Sequence, residues 1–171
     1  MAAATRRERE RQRHRREVLK AAEAIFAEKG YHAATVQEIA DRAEFAVGTL
    51  YNMFDGKRAM YRELCQDRME DYIHRVTEAL KGIDGPREGI REIIRAKFRF
   101  FRENQPFIRI FEHMTRNGEQ KDQPSIMTAH AGRAFERYLE MESRLFEEGM
   151  KQGLFVELNP TLAATTLEGM A

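Results

Sequence analysis

Thr35, Gln37, Thr49, Tyr51, Asn52 and Lys57 fall within one short stretch of the chain. Their hydroxyl, carboxamide and ammonium groups are the types that bond to nucleic-acid base edges and phosphates. The same types also decorate any solvated helix, so their chemistry depends on how they are held. Other chemistries find little support. His14, His32, His74, His113 and His130 show no metal-ligand spacing such as His-x-x-x-His. There is no phosphate-binding Gly-Lys loop, no Gly-x-Ser-x-Gly elbow and no Cys-x-x-Cys pair. Cys65 lies in an apolar helical stretch and reads as structural. No catalytic residue, metal or cofactor is therefore assigned, and an enzyme is not expected.

Two apolar sets position the polar residues. Val36, Ile39, Ala40 and Ala43 form one, and Val47, Leu50, Tyr51 and Phe54 the other. Each repeats at i, i+3, i+4 and i+7, the pattern of one buried helix face. Only Glu44, Phe45 and Ala46 separate them. Helices joined so briefly must cross steeply, which predicts a helix-turn-helix whose second helix can enter a DNA major groove. Such pairs also occur in proteins that never touch DNA. Thr35 and Glu38 are spaced as a capping box for the first helix. Ala46 stands at the cap of the second, where alanine has nothing to offer. Asp55-Gly56 supplies a turn before a further helix. With Leu50 and Phe54 inward, Val47, Gly48, Thr49, Asn52 and Met53 face partly or wholly outward.

Thr35-Val36-Gln37-Glu38-Ile39-Ala40, Ala43, and Gly48-Thr49-Leu50-Tyr51-Asn52-Met53-Phe54 with Lys57 resemble the DNA-binding domain of the TetR family of bacterial regulators. Val18–Ala22 and Phe26–Tyr31 are similar to that family's first helix. The resemblance implies that Val47, Thr49 and Asn52 approach bases and that Gly48 allows a close backbone approach. It implies that Tyr51 presents its hydroxyl to phosphate with its ring packed inward. Thr35 and Lys57 would grip phosphates, and Gln37 would reach a base edge. Glu44 stands where the family usually has a turn glycine, and Ala46 where it has Ser or Thr.

Composition fits an all-α protein in a reducing compartment. The chain has 171 residues, 42% hydrophobic and 33% charged, with one cysteine. No apolar run approaches the roughly 18 residues of a membrane span. The Arg-rich start lacks the apolar core of a secretory signal, so a cytoplasmic location is expected. Net charge is only +1, but residues 1–20 hold 8 basic and 3 acidic side chains. A basic end on a balanced chain suits a phosphate-binding domain.

The expected organisation runs in four parts. Residues 1–14 form a basic arm, which could begin a helix at the Thr5–Glu8 capping box, reach DNA, or stay solvated. Residues 15–56 form the DNA-binding unit, closed at Gly30 and the turn after Phe54, with Arg15, Arg16 and Lys20 near phosphates. Residues 57–80 form a linking helix. Residues 81–171 form a larger helical domain with breaks at Gly85-Pro86, Asn104-Gln105-Pro106, 117–124 and Asn159-Pro160. The helix after Pro86 spreads apolar residues over more than one face, which suggests a central position.

By the family resemblance, the second domain takes a small, largely apolar effector and forms a homodimer. Phe98, Phe101, Phe107, Phe111, Met114, Met127, His130, Phe135 and Tyr138 are the candidate lining, though each could equally fill a core. Arg95, Arg99, His113, His130 and Arg133 are the polar candidates in that apolar context. Residues 161–171 are similar to a penultimate helix; either the protein is short for its family or a final helix lies beyond the given sequence, and the second is the expectation. The implied function is repression from a palindromic operator, relieved by effector. The competing expectation is a helical ligand-binding or interaction protein with weakened DNA binding.

Overall fold

Thr5 starts the first helix as its spacing predicts. Its side chain accepts from the Glu8 amide at 3.3 Å, and Glu8 accepts from the Thr5 amide at 2.6 Å. In the computed structural model, which describes residues 5–116 and 129–169, α1 therefore spans Arg6–Lys29 without interruption. Of the three expectations for the basic lead, the helix is the one observed. Its first turns carry no buried residue; the core begins at Val18. Gly30 ends it at φ 81°, and its amide donates to the Phe26 carbonyl at 2.9 Å.

α2 (Val36–Ala43) opens on a complete Thr35–Glu38 capping box, and α3 (Val47–Met53) follows after three residues. α4 is Lys57–Ala79, α5 Pro86–Glu103, α6 Gln105–Arg116, α7 Ala129–Lys151 and α8 Pro160–Gly169. Pro86 opens α5, where a missing amide costs nothing. The Asn159 side chain caps α8 by accepting from the Leu162 amide at 2.9 Å. The described residues contain helices and no strand, so they are all-α as expected. The polar loop at 117–124 lies outside the described residues.

The chain divides into two compact units, Met1–Cys65 with Asn104–Ile126, and Gln66–Glu103 with Met127–Ala171. This differs from the expected boundaries in two respects: α6 goes with the N-terminal unit, and α4 is divided, with Lys57–Cys65 in the first unit and the rest in the second. Phe107 and Ile110 are buried in the same core as Val18, Ala22, Phe26, Ile39, Leu50, Phe54, Met60 and Leu64. Each large side chain buried there contributes roughly 1.5–3 kcal/mol. The breaker Asn104-Gln105-Pro106 interrupts less than expected, since only Asn104 separates α5 from α6.

In the second unit, α5 keeps one inner face, not several. Ile90, Ile93, Ala96, Lys97 and Phe100 are buried, while Phe98 is 71% exposed. α7 closes at Gly153, φ 68°, where the Leu154 amide returns to the Gly149 carbonyl at 2.8 Å. Gly149 is required there, because a Cβ on it would stand 2.2 Å from the Phe155 ring.

Candidate nucleic-acid interface and buried polar cluster

The α2–α3 turn is made by Glu44 in the left-handed region, φ 60° and ψ 35°. Its amide bonds back to Asp41, and that of Phe45 to the Ala40 carbonyl at 3.0 Å. The turn thus keeps the glycine-type conformation although a side chain occupies it. Phe45 packs against the core and meets the His14 ring edge-on at 5.2 Å. Ala46 provides no side-chain cap for α3; the Thr49 amide bonds to the Ala46 carbonyl at 2.8 Å instead.

Leu50 and Phe54 are buried, as the spacing requires. The opposite face of α3 is uncovered in the chain. Gly48 and Asn52 are exposed, and Val47 and Thr49 are half-buried. A Cβ on Gly48 would meet no atom within 4 Å, so this glycine is not there for internal packing. Tyr51 departs from expectation. It is 58% exposed and does not pack its ring inward. The i, i+4 relation to Val47 places it at the margin of the stripe, where the seven-residue α3 has nothing left to cover it.

Two positively charged residues are committed internally. The Lys57 ammonium donates to the carbonyls of Tyr31, His32 and Ala34 at 2.6, 3.0 and 2.8 Å. It also lies 4.6 Å from the Tyr31 ring centroid. All three of its protons fasten the α1–α2 loop, in place of the expected phosphate grip, and partial burial lowers its pKa. The Arg15 guanidinium forks onto Glu63, donates to the Met53 carbonyl and lies 4.1 Å over the Phe54 ring. It too was expected near phosphate. Thr35 works as the α2 cap, and exposed Gln37 donates to Asp41 at 2.8 Å. Arg16 and Lys20 are exposed on α1.

The candidate effector residues are divided between the two units. Phe111 belongs to the N-terminal unit, while Phe98, Phe101, Phe135 and Tyr138 belong to the other. Phe98 points to solvent and lines no interior of the chain, Phe101 and Phe135 are half-buried, and Tyr138 is buried. The His113, Met114 and His130 side chains and Met127 lie outside what the structure describes. Arg95, Arg99 and Arg133 are exposed.

The second unit instead buries a polar cluster that includes Tyr138. The hydroxyls of Tyr72 on α4 and Tyr138 on α7 are 3.1 Å apart. Both reach the Glu168 carboxylate on α8, Tyr138 at 2.8 Å and Tyr72 at 3.1 Å. Lys97 on α5 donates to the carbonyls of Leu167 and Glu168 at 2.6 and 3.0 Å. Glu142 is fully buried one turn beyond Tyr138 on α7. Burial first, and then the Glu168 charge, push its pKa up to about 8 against the opposing pull of Lys97. Neither Glu142 nor Lys97 figured among the expected residues. A signal existed: Lys97 interrupts the Ile90, Ile93, Phe100 register, and Glu142 the Phe135, Tyr138, Leu145 register.

Residues 18–64 match the family described as bacterial regulatory proteins, tetR family. The HTH-type transcriptional activator FasR of Mycolicibacterium smegmatis is 34% identical over 104 residues, covering 60% of this chain and 48% of FasR. The chain thus spans about half the length of that relative. The TetR family transcriptional regulator PfmR from Thermus thermophilus superposes with a TM-score of 0.72 at 26% identity, over 90% of this chain and 83% of PfmR. FadR from Bacillus subtilis, solved in complex with stearoyl-CoA, shares the fold with a TM-score of 0.70 at 24% identity, over 90% and 81% of the two chains. Among the described residues no helix is long and apolar enough to cross a membrane. With its capped α2, its left-handed turn and its short α3 all inside the matched segment, residues 18–64 are a domain of the tetR family of bacterial regulatory proteins.

Proposed function

We propose that this chain is a ligand-responsive transcriptional regulator that binds a palindromic DNA operator as a homodimer. The observation that carries the reading is the bare face of α3. Gly48 and Asn52 stand outward and Thr49 is half-buried beside them, while Leu50 and Phe54 anchor the helix from behind. Thr49 and Val47 offer methyl groups suited to thymine, Asn52 a carboxamide suited to adenine, and Gly48 a close backbone approach. Exposed Tyr51 presents its hydroxyl to phosphate with its ring uncovered. Thr35 and Gln37 flank the groove from α2. Lys57 acts at one remove, by holding the loop that precedes α2.

One α3 reads few base pairs. Two copies related by a two-fold axis, with helices about 34–36 Å apart or a multiple of it, would read a palindrome. The exposed Arg-rich turns of α1 add to the phosphate-attracting field. The relative FasR is an activator by name, so the reading concerns operator occupancy and leaves its sign open. A regulator of this kind works where the chromosome is, so cytoplasmic placement belongs to the same proposal.

Selection of bound sequences from random duplex DNA at moderate salt tests it. A palindrome should be enriched, and affinity should fall steeply with added salt. A folded, dimeric protein that enriches nothing would overturn the reading in favour of a ligand-binding protein without DNA activity.

A further inference from the structure

The polar cluster of the second unit has more acceptors than protons. Each tyrosine hydroxyl carries one proton. With Tyr138 donating to Glu168 at 2.8 Å and Tyr72 at 3.1 Å, both protons are spent and both oxygens keep lone pairs. The three Lys97 protons face the Leu167 carbonyl, the Glu168 carbonyl and the Glu168 carboxylate at 3.6 Å. Glu142 lies fully buried, and neither of its oxygens has a hydrogen-bond partner among the described residues. When ionised, the cluster holds two carboxylates against one ammonium. A buried polar group without a partner is costly, and a buried charge without one more so. Among the described residues no positively charged donor stands within hydrogen-bond distance of the Glu142 carboxyl.

We infer that Glu142, together with the Tyr72 and Tyr138 hydroxyl oxygens of the same cluster, forms a subsite for the cationic nitrogen group of a small organic ligand, a guanidinium or an ammonium. This rests on the second unit being the ligand-binding part of the regulator, and it names the ligand class. A carboxylate or phosphate head group placed here would meet Glu168 as a like charge and could form no ion pair with Glu142. A neutral amide would leave Glu142 protonated and would likewise gain no ion pair.

The groups facing Glu142 from the packed helices are Tyr72 on α4, Lys97 on α5, Tyr138 on its own helix and Glu168 on α8. Glu142 holds its proton to about pH 8, so an entering cation must displace that proton. Binding of a permanently charged guanidinium therefore releases one proton. Its affinity rises with pH up to about 8, by at most about tenfold per unit.

Calorimetry on the intact protein tests this with heptylguanidinium, heptylurea as the neutral shape control and octanoate as the anion. Titrations at pH 6.5 and 7.5, in buffers of different ionisation enthalpy, count the protons. The guanidinium should bind, release close to one proton at pH 6.5, and bind more tightly at pH 7.5. Heptylurea and octanoate should bind at least tenfold more weakly. Glu142→Gln should lose at least tenfold in guanidinium affinity and all of its pH dependence while keeping its melting transition. Glu140→Gln, on the exposed side of α7, should change neither. Equal binding of heptylurea or octanoate would overturn the inference. So would unchanged guanidinium binding by folded Glu142→Gln, or no guanidinium binding by folded wild type at millimolar concentration. Operator selection is run separately without cation. An enriched palindrome without guanidinium binding sinks the subsite alone, and guanidinium binding without an operator sinks the regulator reading alone.

Discussion

Arg15 on α1 and Glu63 on α4 are joined by a forked ion pair, 48 residues apart in sequence and half-buried. The same guanidinium donates to the Met53 carbonyl at the end of α3 and stacks over Phe54. One side chain thus ties three helices together behind the reading face. Arg15→Ala should lower stability by about 1–2 kcal/mol, discounted for partial exposure. Arg15→Lys should recover little, because an ammonium cannot fork. Thermal melting gives the first quantity. Operator affinity at a temperature where both proteins are folded should also fall, because α3 loses its rear support.

Lys57 separates loop fastening from phosphate binding. A lysine contacting phosphate adds roughly 0.9 to the slope of log affinity against log salt. Lys57 spends its protons on Tyr31, His32 and Ala34 carbonyls. Lys57→Met should therefore destabilise the first unit by about 1–3 kcal/mol, the scale of lost charged hydrogen bonds, and leave the salt slope unchanged. A slope lower by close to one would return Lys57 to the phosphate.

The same contrast shows what the sequence could and could not reveal. Capping boxes at Thr5 and Thr35, the Gly30 stop and the inward Leu50 and Phe54 are local matters of spacing, and all were legible. The Lys57 partners were not. They are backbone carbonyls more than twenty residues away, and carbonyls leave no mark on residue type. Glu142 and Lys97 were visible as charges in an apolar register. That Glu142 meets no hydrogen-bond partner among the described residues was not, because it depends on how Tyr72, Tyr138 and Glu168 share protons across three helices. The aromatic residues failed as a guide for a similar reason. Periodicity tells that Phe98 and Phe101 share a helix with Phe100, but only packing decides that Phe100 goes in and Phe98 out.

Glu44 holds a left-handed backbone at φ 60° that glycine would adopt without strain. The side chain costs about 1–2 kcal/mol there. Glycine would return roughly 0.5–1 kcal/mol of that through the greater freedom of its unfolded state. Glu44→Gly should thus raise stability by up to about 1 kcal/mol without moving α3. Urea denaturation should show a higher midpoint with an unchanged slope. A lower midpoint would mean that the side chain supplies something beyond the turn.

Glu142 gives stability a pH dependence of definite sign. Its carboxyl ordinarily titrates at 4.5, and in the folded chain at about 8. Between those values the folded protein holds a proton that the unfolded chain has released. Stability from this group is therefore complete below about pH 4.5 and is lost as pH rises through 8. The slope approaches about −1.4 kcal/mol per unit at most. Glu38 has the opposite shift, held near 2 by its bonds to Lys29 and Thr35, and its contribution is lost only as pH falls below 4.5. The window from pH 5 to 8 thus isolates Glu142 from the lowered carboxylate. Every other group is common to wild type and variant and cancels in the comparison. Urea titrations across this window should show wild type losing stability relative to Glu142→Gln, with the two closest at pH 5 and furthest apart at pH 8. A constant difference would mean that Glu142 is ionised throughout, with a partner that holds its charge in the folded protein.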